Sequence, residues 1–171
     1  MSRLDAGAWH SRTYAGETLP SLDAIAQFCR VNGHALNIEI KPTPGSELLT
    51  GQVVGSEVLR LWAGEAATPP LLSSFKHEAL LGAAETAPDL PRALLLDSLK
   101  PGWLEQAQGL GCRAVVTNYN LMDRPVIEAI HAAGMKAMVY TVNDPATAQW
   151  LIGNGFDGII TDAVDRFSPA A

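Results

Sequence analysis

The stretch Leu36-Asn37-Ile38-Glu39-Ile40-Lys41, closed by Pro42, constrains this chain most. Leu36, Ile38 and Ile40 alternate with Asn37, Glu39 and Lys41, the period of a strand. In a half-buried sheet the polar set would face water. In a closed parallel barrel the apolar set faces the surrounding helices and the polar set points inward. Glu39 and Lys41 then lie on one face near the C-terminal end of the strand, where a carboxylate and an ammonium can hold a divalent cation and a phosphate oxygen together.

The rest of the chain repeats a strand-then-helix pattern. A helix runs from Ser21, its N-cap, to about Val31, carrying Leu22, Ile25, Ala26 and Cys29, and Asn32-Gly33 ends it. After the 36–41 strand, a helix is expected from about Thr50 to Ala66, with Val53, Val54, Val58, Leu61 and Trp62 on its buried face. Strands at 71–75, 93–96, 114–117, 136–141 and 158–161 follow. Helices are expected over about 76–86, over 103–110, after an Asp123 cap, and from Pro145 to the glycines at 153 and 155. Residues 2–20 read as loop, with Asp5, Trp9, His10 and Tyr14 as unusual company for a chain terminus.

Six short strands alternating with helices make an α/β chain with a parallel sheet. No G-x-G-x-x-G turn follows a strand, which weighs against a doubly wound dinucleotide-binding sheet. The 171 residues suffice for one domain. A net charge of −6 without a basic cluster argues against a nucleic-acid partner. Cys29 and Cys112 form no Cys-x-x-Cys pair and read as small buried residues. No apolar run is long enough to span a membrane and the first residues lack a signal-peptide core, so a cytoplasmic protein is expected.

Several segments, in order, resemble glycerophosphodiester phosphodiesterases of the bacterial cytoplasmic type. They are Leu4-Asp5-Ala6-Gly7-Ala8-Trp9-His10, Ala15 to Leu22, Leu36 to Pro42, Leu71 to Phe75, Val139-Tyr140-Thr141-Val142-Asn143 and Gly158-Ile159-Ile160-Thr161-Asp162. The resemblance implies a TIM (β/α)8 barrel that hydrolyses glycerophosphodiesters to sn-glycerol 3-phosphate and an alcohol with a divalent cation, Mg2+ or Ca2+. It implies that Glu39 is a metal carboxylate and Lys41 a phosphate-contacting lysine. Phe75 would line the substrate mouth, and Tyr140 and Asn143 would lie near the glycerol end. Asn143 has a second reading as a residue that shapes the turn before Asp144 caps the next helix.

The family's His-Arg-Gly segment, Glu-x-Asp motif and His-Asp supply its acid/base histidines and further metal carboxylates. None of these motifs occurs in this chain. Residues 1–171 are therefore expected to be one domain forming strands 3 to 8 of an incomplete barrel, with about two βα units, some 60–75 residues, lacking. His10 falls in a loop, His34 in a loop on the opposite face from the mouth, and His77 and His131 in helices, so none is expected after a strand. The chain alone is expected to have little or no phosphodiesterase activity. Two other readings stay open. One is a non-catalytic remnant whose open barrel edges drive homo-oligomerisation or complementation. The other is a different phosphate-handling barrel enzyme, which Lys41 beside Glu39 fits poorly as a Schiff-base lysine.

Overall fold

The computed structural model describes residues 4–63, 68–163 and 165–167. Its strands are β1 (Asn37–Glu39), β2 (Leu71–Ser74), β3 (Arg92–Leu96), β4 (Ala114–Asn118), β5 (Lys136–Tyr140) and β6 (Gly158–Ile159). The helices are α1 (Leu22–Val31), α2 (Glu47–Trp62), α3 (His77–Thr86), α4 (Trp103–Gly109), α5 (Arg124–Ala132) and α6 (Pro145–Gly153). Every neighbouring strand pair is parallel, and the order across the sheet is the order along the chain. The sheet curls into a half-barrel with helices outside, so the expected incomplete (β/α)8 architecture is observed.

The strands alternate as the 36–41 pattern predicts. On the helix side, Ile38, Ile40 and Leu72 pack with Val58, Ala79 and Ala83, while Leu94, Val115, Ala137 and Val139 pack with Leu80, Ile127, Ile130 and Leu151. On the other face, Ala93, Leu95, Ala114 and Val116 form a separate cluster with Leu71, Met138, Tyr140 and Ile160. Alternation puts Asn37, Glu39 and Lys41 on this second, concave side.

Expected caps are in place: Ser21, Asp123 and Asp144 accept hydrogen bonds from the backbone N–H groups of Ala24, Val126 and Thr147. Cys29 and Cys112 are both buried thiols. Burial pushes the Cys112 thiol up to about 11.

Element boundaries shift where hydrogen bonding outweighs pattern. The regular part of β1 is shorter than 36–41, although the Leu36 carbonyl accepts from Leu71 N–H and Ile40 N–H donates to Ser73 O. Helix α2 begins at Glu47 rather than Thr50, because Thr50 N–H already bonds the Ser46 carbonyl. Its expected last residues, 64–66, lie outside the described residues. Val53 is 59% exposed, contrary to the expected buried face. The buried row is Gly51, Gly55, Val58 and Leu61. A Cβ on Gly51 would lie 2.0 Å from the Ala79 carbonyl oxygen, and one on Gly82 would lie 2.1 Å from that of Leu48. The two helices meet backbone to backbone, and only residues without a side chain permit that approach.

The N-terminal loop has more order than its composition suggested. The Asp5 carboxylate accepts from the N–H groups of Gly7, Ala8 and Gly16, which hold it below the usual carboxylate range. Asp5 also bridges Thr18. The rings of Trp9, His10 and Tyr14 meet edge to face, so these aromatics pack on one another.

At the sheet's N-terminal rim, charges act as ties. Arg92 is 8% exposed and its guanidinium donates to the carbonyls of Pro88, Leu90 and Leu110. Asp157, just before β6, accepts from Lys136, from Ala137 N–H and at 2.8 Å from His131. Burial raises its carboxyl, and the Lys136, Ala137 and His131 donors outweigh that and hold it below the ordinary 3.8.

Gly82→Ala is expected to lower stability by about 1–3 kcal/mol, measured by urea denaturation, because the added methyl drives α3 from α2. Asp157→Asn is expected to flatten the acid limb of the stability curve. A depressed carboxyl stabilises the fold fully above its unfolded value, and the contribution fades as pH falls through the lower folded value. Melting temperatures of both proteins across that acid range check the sign.

Candidate active site

Parallel pairing brings the C-terminal ends of all six strands to one rim. Glu39 closes β1, and Lys41 follows two residues later on the same face. Their Oε2 and Nζ atoms are 3.4 Å apart, so the structure brings together the two residues singled out by pattern. Glu39 is in register with Ser73 of β2.

Phe75 follows β2 and is 44% exposed. Its ring meets that of Tyr140 edge to face, with centroids 5.9 Å apart. Tyr140 closes β5, and its hydroxyl reaches past β4 to donate to the Leu96 carbonyl of β3 at 2.9 Å. Burial pushes the Tyr140 phenol up, and the Asp97 and Glu39 carboxylates push it the same way. One phenol therefore feels negative charge from the ends of β1 and β3, which places Glu39, Asp97, Phe75 and Tyr140 around one mouth.

Asn143 sits beyond β5 and serves the last strand. Its Oδ1 accepts from Thr161 Oγ1 and from Asp162 N–H, each at 2.9 Å. Thr161 Oγ1 in turn accepts from Ala163 N–H. These bonds tie Asn143 to the end of β6 rather than to the turn before Asp144.

Two residues of the mouth escaped sequence reasoning. Asp97 continues the inward parity of Ala93 and Leu95, which the pairing of β3 with β4 fixes. Ser73 is fully buried on the concave side, and among the described residues its Oγ is the buried side-chain oxygen without a hydrogen-bond partner. Ser74, by contrast, donates to the Ile40 carbonyl and accepts from Lys76 N–H.

The histidines are dispersed. His34 stacks obliquely on Phe28, and His131 pairs with Asp157 on the opposite rim. The expectation that none follows a strand needs one correction. His77 opens α3 only three residues after Ser74, because β2 leads into α3 through a very short loop, and its Nε2 lies 3.2 Å from Glu78.

A divalent cation calls for about six or more oxygen ligands. Among the described residues no three His, Cys, Asp or Glu side chains come together as a metal-binding group. Glu39 is already paired with Lys41. Among the described residues, Glu39 thus stands beside an ammonium rather than within a group of carboxylates.

The profile of the glycerophosphoryl diester phosphodiesterase family matches residues 1–166. The chain belongs to this family. YhdW of Bacillus subtilis (strain 168) is 29% identical to it over 175 residues, covering 96% of this chain and 67% of its own. A glycerophosphodiester phosphodiesterase of Caldanaerobacter subterraneus subsp. tengcongensis is 27% identical over 163 residues, 95% of this chain and 65% of its own. Among solved structures, the phosphodiesterase OLEI02445 of Oleispira antarctica, in complex with the product sn-glycerol-3-phosphate, superposes with a TM-score of 0.84 at 29% identity. It covers 95% of this chain and 65% of that one. The chain spans about two thirds of the length of these relatives. Among the described residues, no helix is long and apolar enough to cross a membrane.

The Ser73 hydroxyl makes no hydrogen bond that its removal would break. Ser73→Ala is therefore expected to leave stability unchanged or raise it by up to about 1 kcal/mol, because an unmet buried polar group is costly. A clearly lowered melting temperature would show that the hydroxyl has a structural partner.

Proposed function

We propose that this chain supplies the phosphate-holding part of a glycerophosphodiester phosphodiesterase, which hydrolyses glycerophosphodiesters to sn-glycerol 3-phosphate and an alcohol. The observation that carries the reading is the Glu39–Lys41 pair on the concave side of the strand ends, beside the Phe75–Tyr140 aromatic pair. Family membership and the named relatives support the reaction class.

In this reading Lys41 binds a non-bridging phosphate oxygen and offsets the charge that builds on it during attack at phosphorus. Its side chain is 77% exposed, so an incoming phosphate meets it without displacing the core. Phe75 and Tyr140 give the carbon chain of the substrate an apolar wall. Asn143 keeps the ends of β5 and β6 together at the edge of the mouth. Glu39 contributes one carboxylate to a Mg2+ or Ca2+ ligand set. When bound, such a cation stabilises negative charge on a phosphoryl oxygen.

Proton transfer to the leaving alkoxide needs a positioned acid. His10 packs on Trp9 and Tyr14, His34 on Phe28, His77 lies beside Glu78, and His131 pairs with Asp157, so each imidazole has a neighbour other than the Glu39–Lys41 pair. The 171-residue chain is thus a binder of glycerol phosphates with little or no turnover by itself.

The expected outcome is binding of sn-glycerol 3-phosphate at millimolar strength, about −4 kcal/mol, detected by NMR titration. Lys41→Ala abolishes this binding. Glu39→Ala strengthens it a few-fold in metal-free buffer, because the competing carboxylate is gone. Cation-dependent turnover of glycerophosphocholine by this chain, lost in Glu39→Ala, would overturn the non-catalytic part of the reading.

A further inference from the structure

A cavity of about 590 Å³ lies beyond Phe75, at the C-terminal ends of β2 and β3 and the start of α4. Its walls carry Phe75, Lys76, Asp97, Lys100, Trp103 and Gln106. It adjoins the mouth by shared residues. Phe75 touches Tyr140, and the Asp97 carboxylate acts on the same tyrosine. A phosphodiester held at Lys41 has two arms. With one arm along Tyr140, the other has this cavity as its neighbouring space.

The lining selects among alcohols by charge and by hydrogen-bonding capacity. The lining carries two ammonium groups, Lys76 and Lys100, and one carboxylate, Asp97. Asp97 Oδ1 also accepts from the Ser98 hydroxyl at 2.9 Å, which spreads its charge. A quaternary or primary ammonium entering here meets net positive charge. A polyol meets an acceptor in Asp97, donors in both lysines and a group of both kinds in the Gln106 amide. The rings of Phe75 and Trp103 offer apolar faces to its C–H groups. Glu47 also lies within electrostatic reach of Lys76 but is not part of the lining, so the walls themselves keep two ammonium groups to one carboxylate.

We infer that this cavity is the subsite for the departing alcohol and that it takes an uncharged polyol, such as inositol or glycerol, in preference to choline or ethanolamine. The inference rests on the phosphate-holding reading of Lys41.

The test is an NMR titration of the 171-residue chain with sn-glycerol 3-phosphate, glycerophosphoinositol and glycerophosphocholine. The inositol ester is expected to bind at least about fivefold more tightly than the choline ester, the effect of one exposed charge contact. Lys100→Glu reverses the sign of the lining and brings that ratio to one or below. Gln106→Leu, on the exposed side of α4, lowers affinity for the inositol ester alone and gives an independent reading if Lys100→Glu does not fold. Equal affinities, a choline preference, or a ratio that neither substitution moves overturns the subsite while sn-glycerol 3-phosphate still binds. If sn-glycerol 3-phosphate itself does not bind, the reading of Lys41 and that of the cavity fall together.

Discussion

Strictly sequential parallel pairing is the constraint on which this molecule depends. Because each strand lies beside its sequence neighbour and points the same way, every strand ends on one rim and every helix returns to the other. Residues far apart in sequence, such as Glu39, Phe75, Asp97 and Tyr140, meet only because of that rule. The alternation within each strand then decides what faces the concave side. Leu95, Val116 and Met138 fill its floor with apolar volume, and the residues that follow them at the same parity, Asp97, Asn118 and Tyr140, all carry a polar group. The site is the polar continuation of an apolar barrel face.

The two rims use charge in opposite ways. On the N-terminal rim, polar groups are saturated: Arg92 donates to three carbonyls, and Asp157 collects donors from α5 and β5. Those bonds fix loops that would otherwise carry unmet backbone groups. On the C-terminal rim, among the described residues, the buried Ser73 hydroxyl has no hydrogen-bond partner, and Lys41 pairs with Glu39 at 3.4 Å. Of the two, Ser73 is fully buried and Lys41 is largely exposed, so in the proposed reading Lys41 is the group this rim leaves open to a ligand.

Much of this was legible in the sequence because it rests on local rules. The alternation of Leu36 to Lys41 gave the correct face for Glu39, and the caps Ser21, Asp123 and Asp144 follow from short-range hydrogen bonding. What stayed hidden depends on approach between elements. Val53 reads as core by its period, yet Gly51 and Gly55 draw α2 against α3 along another row and leave Val53 outside. The Asp5 carboxylate organises the N-terminal loop through three backbone donors, which composition does not reveal. Asp97 was missed for a simpler reason. Its strand reads as a continuous apolar run, and parity within such a run shows only when a neighbouring strand fixes the register.

The strength of the Glu39–Lys41 pair decides whether the rim can act. Both groups are substantially in water, with side-chain exposures of 32% and 77%. Pairs of that kind are worth about 0–1 kcal/mol. A phosphodiester carries a full negative charge and offers Lys41 a second acceptor at similar distance, so exchanging or sharing the lysine costs little. A buried pair would behave otherwise, because stripping one partner from it costs about 3–5 kcal/mol. The concave face thus keeps its lysine available by leaving the strand end open to solvent. In the proposed reading the same pair bears on the cation: one hydrated carboxylate beside an ammonium presents no net charge to a divalent ion, and a phosphate held at Lys41 would bring further oxygens to the same place.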